Sequence, residues 1–289
     1  MKLCAKCEKP VSSHDSPCPF CFHETVRIHG HLAFAPQLAA NSEGFEAAYF
    51  PNLVELEEGS FWFRARNSLI IWALGQYFPQ ARNLLEIGCG TGYVLSGIKR
   101  AIPDLELSGS EVFSAGLSFA ATRLPGDQLF QMDARRIPFR EEFDVIGAFD
   151  VLEHIQEDET VLSQMYQATR PGGGILATVP HHPFLWSQAD DYARHVRRYR
   201  VAELREKVKG AGFRIVRVTS FVSLLFPLLV LSRLKERVAT TDFDPHAEFK
   251  INPLVNAGFG KILDVERRAI RAGLYFPFGG SLLVVARRE

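Results

Sequence analysis

The chain has 289 residues, of which 47% are apolar and 23% charged, and its 33 Lys and Arg side chains are balanced by 33 Asp and Glu. That length and composition suit an ordinary folded protein with a full core and argue against disorder, while the zero net charge removes any overall field for drawing in nucleic acid. The N-terminus shows no secretory pattern, and the longest apolar run, Phe221 to Leu231, is interrupted by Pro227 and falls short of the roughly 20 residues that span a bilayer, so a cytoplasmic protein is expected.

Residues 1–30 are rich in Cys, Pro and His and lack a helical or strand period, which marks a small separate module; residues 31–60 then form a linker and an N-terminal helix. Cys4 with Cys7 and Cys18 with Cys21 form two C-x-x-C pairs separated by ten residues. Each pair can aim two thiolates at one ion, and two pairs complete a tetrahedron, so a structural zinc site is expected rather than two disulfides, which a cytoplasmic chain disfavours. With all four positions closed such a site is not catalytic, and its metal would supply folding energy to a piece with little core. His14 and His23 lie close by and are expected to be bystanders.

Residues 61–289 carry the main domain. Phe61–Phe78 reads as a helix with Leu69, Ile70, Trp72, Ala73, Leu74 and Tyr77 on its apolar face. Then come a strand at Asn83–Ile87, a helix after Gly92, a strand in LELSGS, a helix near SAGLSFAATRL and strands at QLFQM and FDVIGAF. A helix at Asp158–Thr169 precedes a strand in GGILATV, a helix at Val201–Ala211 precedes a strand in FRIVRVTSF, and the chain ends with a helix near Ile262–Ala272 and a strand at SLLVVA. This alternation predicts an α/β fold with a doubly wound parallel sheet. Insertions at 180–200 and 220–260 are the candidate acceptor-pocket segments.

The stretch LLEIGCGTGYV places an acid, Glu86, before glycines at 88, 90 and 92, on the turn from the first strand of the main domain into a helix. Glycines there let a ligand approach backbone amides and the positive helix end. A nicotinamide enzyme needs a third glycine where Tyr93 stands, and no triphosphate-binding G-x-x-x-x-G-K-[ST] is present. The stretch resembles the first motif of the class I S-adenosylmethionine-dependent methyltransferases, and the resemblance extends over roughly residues 61–286. It implies a Rossmann-like seven-stranded sheet whose last strand runs antiparallel between the fifth and sixth, with SLLVVA as that strand. It also implies that S-adenosylmethionine sits against Glu86, Gly88, Cys89, Gly90 and Gly92. Glu111, with Val112, matches the acid that binds the ribose hydroxyls, and Asp133, with Ala134, the acid that receives the adenine amino group. Asp150 lies at the fourth-strand tip beside the methionine end, and Arg64 is the candidate for the methionine carboxylate.

The resemblance further implies methyl transfer to an oxygen, nitrogen or carbon nucleophile of a small organic acceptor, lipophilic or acidic, as in the quinone-biosynthesis branch. A base is needed only if the acceptor carries a proton, and His154, His181 and His195 are the candidates, with His182 beside them. Arg194, Arg197, Arg198 and Arg200 either clamp an acidic substrate or, the favoured reading, pair internally with neighbouring acids. The Phe221–Leu231 run suits a buried helix or dimer contact better than peripheral contact with a membrane. The competing readings are an rRNA or tRNA methyltransferase, against which the acidic N-terminus and the lack of a basic aromatic stripe argue, and a zinc-ribbon interaction protein on a non-catalytic scaffold, which has no need for Glu86, Glu111 and Asp133. Oligomeric state is not readable from the sequence.

Overall fold

A computed structural model describes residues 1–40, 47–238 and 251–289. Residues 41–46 of the expected linker and 239–250 of the expected second insertion lie outside the described residues. In chain order the elements are β1 (Lys2–Leu3), β2 (Pro10–Val11), β3 (Val26–Ile28), β4 (His31–Ala33), α1 (Phe50–Glu57), α2 (Phe61–Tyr77), β5 (Asn83–Ile87), α3 (Tyr93–Ala101), β6 (Glu106–Glu111), α4 (Ser114–Arg123), β7 (Gln128–Gln131), β8 (Phe143–Phe149), α5 (Asp158–Ala168), β9 (Thr169–Pro180), α6 (Gln188–Tyr192), α7 (Val201–Gly210), β10 (Arg214–Phe221), α8 (Phe226–Val238), α9 (Pro253–Arg271) and β11 (Ser281–Arg287).

The large sheet runs β10-β11-β9-β8-β5-β6-β7-β4-β3. Strands β4 to β9 pair parallel with one another, β3 is antiparallel to β4, and β11 is antiparallel to both β9 and β10. The seven expected strands are present in the expected order. Two more extend the sheet, because His31–Ala33 pairs parallel with β7 and carries Val26–Ile28 as a hairpin partner. These segments are only three residues each, too short to show a period, so nothing in their sequence marks them as sheet.

Strands covered on both faces must be apolar throughout, and the alternation of side chains sorts them into two cores. Leu84, Val145, Leu283 and Val285 face one side, packed under α2, α3, α4 and α9. Leu85, Ile146, Leu282 and Val284 face the other, under α5 and α7. Ser60 caps α2, accepting from Trp62 N, and the buried residues of that helix are Phe63, Arg66, Asn67, Leu69, Ile70, Ala73 and Leu74.

The insertion after β9 is anchored by Tyr199, which is fully buried and donates to Asp158 at 2.6 Å, with Lys207 closing on the same carboxylate. Burial pushes Asp158 up, but Lys207, Tyr199 and Arg197 outweigh it and hold the carboxyl below its usual range. The arginines of this insertion follow the internal-pairing reading in part: Arg198 pairs with Asp190, while Arg197 reaches Asp158. The apolar run 221–231 does not form a buried helix. It covers the end of β10, a turn and the start of α8, where Leu225 is buried while Leu224, Leu228 and Leu231 are exposed. Among the described residues no helix is long and apolar enough to cross a membrane.

Between the antiparallel neighbours β9 and β11, Gly174 faces the carbonyl oxygen of Ala286 and the ring of Phe78, so that an added Cβ would collide with backbone that cannot yield. Gly174→Ala is therefore expected to lower stability by about 1–3 kcal/mol, read as a fall in the urea midpoint with unchanged slope.

Candidate active site

The sheet changes direction at β5: the chain builds β6 and β7 on one side, then returns to lay β8 on the other. Ligands of doubly wound folds sit in the crevice that this reversal leaves beyond the strand ends. A cavity of about 360 Å³ lies there.

Its floor is the turn from β5 into α3. Gly88, Gly90 and Gly92 all have left-handed φ, at 64°, 51° and 76°. They serve different ends. A Cβ on Gly88 would strike Val151 and one on Gly92 would crowd Ala120, whereas one on Gly90 would meet only the ring of Phe50, at 3.6 Å. Gly88, Cys89 and Gly90 line the cavity; Gly92 lies behind it, as N-cap of α3, and gives helix packing rather than ligand access. The Cys89 thiol is buried and pushed well up by that burial, which makes it inert packing.

Glu86, Glu111, Val112, Asp133, Ala134 and Asp150 also line the cavity. Glu111 accepts from Gly90 N and Phe113 N, both at 3.1 Å, so one carboxylate joins the glycine turn to the end of β6. Burial raises its carboxyl and these amides oppose the rise. Asp133 is pinned by Arg135 through its amide at 2.9 Å and its Nε at 3.0 Å. Glu86 is pushed well above the usual range by burial, against the pull of Arg66, and its Oε2 has no hydrogen-bond partner among the described residues. That orphaned acceptor is the group a donor from a ligand would satisfy.

Arg64 does not reach this site. It is exposed and donates to the carbonyls of Glu58 and Gly59, while Arg66 lines the cavity, pairs with Asp150 and stacks on Trp62 with its guanidinium 4.5 Å from the ring centroid. The helical phase Phe63, Arg66/Asn67, Ile70 contains the signal: residue 64 is off the buried stripe. Also missed from the sequence is a cover formed by α1. Glu57 accepts from Thr91 Oγ1 at 2.7 Å and pairs with Arg123, which fastens the helix to the glycine turn, while Phe50 and Leu53 face the cavity. Tyr49 stacks on Tyr192 of α6, centroids 4.3 Å apart.

The three candidate histidines part company. His154 and His195 line the far end of the cavity with rings 4.7 Å apart, edge to face. Their nitrogens and a Glu153 carboxylate oxygen lie within 4.8 Å of one another, a trio that could pass a proton or hold a divalent cation. Burial and the neighbouring His195 lower His154 to about 3, so it stays neutral. Burial, then Asp150, drives Glu153 well above the carboxylate range. His195 places Nδ1 2.8 Å from Asp190 Oδ1, and an ionised carboxylate only accepts, so Nδ1 carries a proton; in the neutral imidazole Nε2 is then the acceptor. Asp190 resists burial through His195 and Arg198 and is held down at about 2. His181, by contrast, sits outside the cavity: it is buried, stacks on His182, meets Ser220 Oγ at 3.1 Å and is lowered to about 3 by burial. It follows β9 on the ligand edge, but the parallel bridge from His181 to Tyr199 turns it toward β10.

In the N-terminal segment the four sulfurs converge, with Cys4 to Cys21 and Cys7 to Cys18 both 3.7 Å apart and all four within 4.8 Å. A disulfide would bring two sulfurs to about 2.05 Å, whereas a tetrahedron of ligands about 2.3 Å from a central ion spaces them by about 3.8 Å. The two turns repeat one geometry: Glu8 N donates to Cys4 O and Phe22 N to Cys18 O, and Glu8 and Phe22 share left-handed φ of 59° and 56°. His14 is a bystander as expected, engaged with Leu3 O at 2.8 Å.

The profile of the methyltransferase domain family matches residues 62–218, more than half of the chain, so the chain belongs to that family. It is 26% identical over 166 residues to a "probable S-adenosylmethionine-dependent methyltransferase" of Mycolicibacterium smegmatis, a match covering 55% of this chain and 62% of that protein. It is 28% identical over 169 residues to the O-methyltransferase cnsE of Penicillium expansum, covering 54% and 60%. The matches thus span about three fifths of these relatives' length. Among solved structures it is similar to a chain in the complex between the Haloferax volcanii Trm112 methyltransferase activator and a methyltransferase, with 17% identity, a TM-score of 0.53 and coverage of 84% of this chain and 93% of that one, a likeness of fold.

Removing the buried Asp190 would strand Arg198 beside a half-buried histidine, so Asp190→Ala is expected to cost about 3–5 kcal/mol. Because its folded value of about 2 lies below the ordinary range near 3.9, its contribution is present above about pH 4 and is lost as pH falls toward 2. Denaturant midpoints measured across that window should fall more steeply for the native chain than for Asp190→Asn.

Proposed function

We propose that this member of the methyltransferase domain family transfers the methyl group of S-adenosylmethionine to a hydroxyl oxygen of a small apolar or aromatic acceptor. The observation that carries this is one cavity running from Glu111 and Asp133, past the glycine turn, to the Asp190–His195 pair. The names of the relatives, one S-adenosylmethionine-dependent and one an O-methyltransferase, support the cofactor and the acceptor atom.

When bound, the cofactor supplies a methyl group already activated by its sulfonium. Glu111 can accept both ribose hydroxyls, and Asp133 the adenine amino group. Glu86, with its unpartnered Oε2, and the cation of Arg66 offer complementary charges to an ammonium and a carboxylate at the methionine end. Phe50, Leu53, Trp62 and Phe63 form apolar walls that exclude water and hold an acceptor in line, which is worth about 7–11 kcal/mol when geometry alone converts two reactants into one encounter. His195 Nε2 takes the hydroxyl proton as the oxygen attacks, with Asp190 fixing the tautomer and stabilising the imidazolium that forms. His154, kept neutral beside it, adds no second charge to repel that proton.

Residues 1–30 we read as a module in which Cys4, Cys7, Cys18 and Cys21 hold structural zinc, supported by the sulfur spacing and the repeated turns. Residues 31–60 then serve as linker and cleft cover, and 61–289 as the catalytic domain.

With labelled cofactor and a panel of phenols, alkyl alcohols, amines and carboxylic acids, methyl incorporation is expected in the hydroxyl compounds. Glu111→Ala should weaken binding of the demethylated cofactor roughly 100-fold, having lost two hydrogen bonds to a charged acceptor. His195→Ala should lower kcat by about 10²–10⁴ while leaving that binding alone. Incorporation confined to amines, or kcat indifferent to His195, contradicts the hydroxyl assignment. Metal analysis should find one zinc per chain, absent from Cys4→Ser/Cys21→Ser; four free thiols on a metal-free native chain contradict the zinc site.

A further inference from the structure

A glutamine is an odd residue to bury inside a sheet, and Gln131, the last residue of β7, is fully buried. In a ladder position between two strands an apolar side chain would pack as well without a desolvated amide. This amide is fully used. Its Oε1 accepts from Ala35 N at 3.0 Å, and its Nε2 donates to Ala35 O and to Val112 O, both at 2.8 Å. All three partners lie just past strand ends, where no ladder partner serves them.

The residue also stands at the crossing of two registers, opposite Ala33 of β4 on one side and Glu111 of β6 on the other. One row across the sheet therefore reads Ala33, Gln131, Glu111. The N-terminal segment is tied into that row from the cysteine turns onward. Leu3, adjacent to Cys4, donates from its amide to Pro138 O at 2.9 Å and accepts from His14, whose ring meets Phe34 and Phe139 edge-on at 4.7 and 5.4 Å. Phe34 N then donates to Gln131 O at 2.8 Å. A second tie joins Ala39 O to Ser114 N at 3.0 Å, at the start of α4.

From this we infer that Gln131 is a positioning residue through which the four-cysteine segment sets the ribose-binding end of the cofactor cleft: the docked segment holds Gln131, and Gln131 holds Val112 and the adjoining Glu111. The inference rests on the cofactor reading of the cleft. It makes the N-terminal segment part of the cofactor site without any of its residues touching the ligand, and it distinguishes that segment from a solubility or partner-binding appendage.

The test is a double-mutant cycle on the full, metal-loaded chain, with the Kd for S-adenosylhomocysteine read by calorimetry and folding checked by thermal unfolding. Gln131→Met, similar in volume, should weaken binding roughly tenfold, as expected when a buried hydrogen-bond partner is withdrawn. Phe34→Ala, remote from the cleft, loosens the docking contact and should weaken binding in the same direction. The double variant should bind no more weakly than Gln131→Met alone, since both break one linkage. In turnover the cofactor KM should rise, with kcat at saturating cofactor and the acceptor KM unchanged within about twofold, a split that general destabilisation would not produce. If Gln131→Met fails to fold, Phe34→Ala decides alone. Native protein that binds while folded variants keep its Kd within twofold, or variants whose effects simply add, overturns the inference and leaves the cofactor reading standing. Native protein that does not bind overturns both.

Discussion

A carboxylate buried at the end of a strand is stable as an ion only where donors surround it, and Glu111 finds its donors in the backbone of two different elements, Gly90 on the glycine turn and Phe113 before α4. That single side chain ties the glycine turn after β5 to the end of β6. The rest of the cleft is measured from it. Gly90 adopts its left-handed φ at no side-chain cost, and its amide is occupied by Glu111. Two ribose hydroxyls would complete the donor set that burial demands, so the same desolvation that makes Glu111 costly makes it selective for a diol.

Around this point the chain builds a cover from three separate places. Glu57 of α1 is fastened to Thr91 and Arg123, Tyr49 stacks on Tyr192, and the segment carrying His195 is held by Asp190 and by the buried Tyr199–Asp158–Lys207 group. Asp158 and Asp190, whose carboxyls are driven down, hold structure together away from the glycine turn, and Glu86, Glu111 and Glu153, driven up by burial, lie at or beside the cleft; Glu266, also driven up by burial, instead receives the amides of Ser223 and Leu224 beyond β10.

What could be read from the amino acids divides along physical lines. Strands buried on both faces are continuous apolar runs, and FDVIGAF falls at Phe143–Phe149 as written, as does the acid-glycine spacing of LLEIGCGTG on its turn. The placement of Arg64 failed for want of phase: adjacent basic residues on one helix point in different directions, and only the stripe Phe63, Arg66, Ile70 distinguishes them. His181 was misplaced because its position in the sequence fixes only the strand end, while a bridge to Tyr199 formed 18 residues later fixes its direction. The added strands β3 and β4 and the cover by α1 depend on pairings between residues about 35 to 100 apart, which no local pattern announces.

The central claim is that Glu111 adds contacts to a sugar to the two it already makes within the protein. A crystal structure of the full chain with S-adenosylhomocysteine tests it most directly. The account predicts both ribose hydroxyls on the Glu111 carboxylate, adenine beside Asp133 and the sulfur turned toward His154 and His195. Density for the ligand outside the cleft, or a ribose that leaves Glu111 bonded only to Gly90 and Phe113, would contradict it.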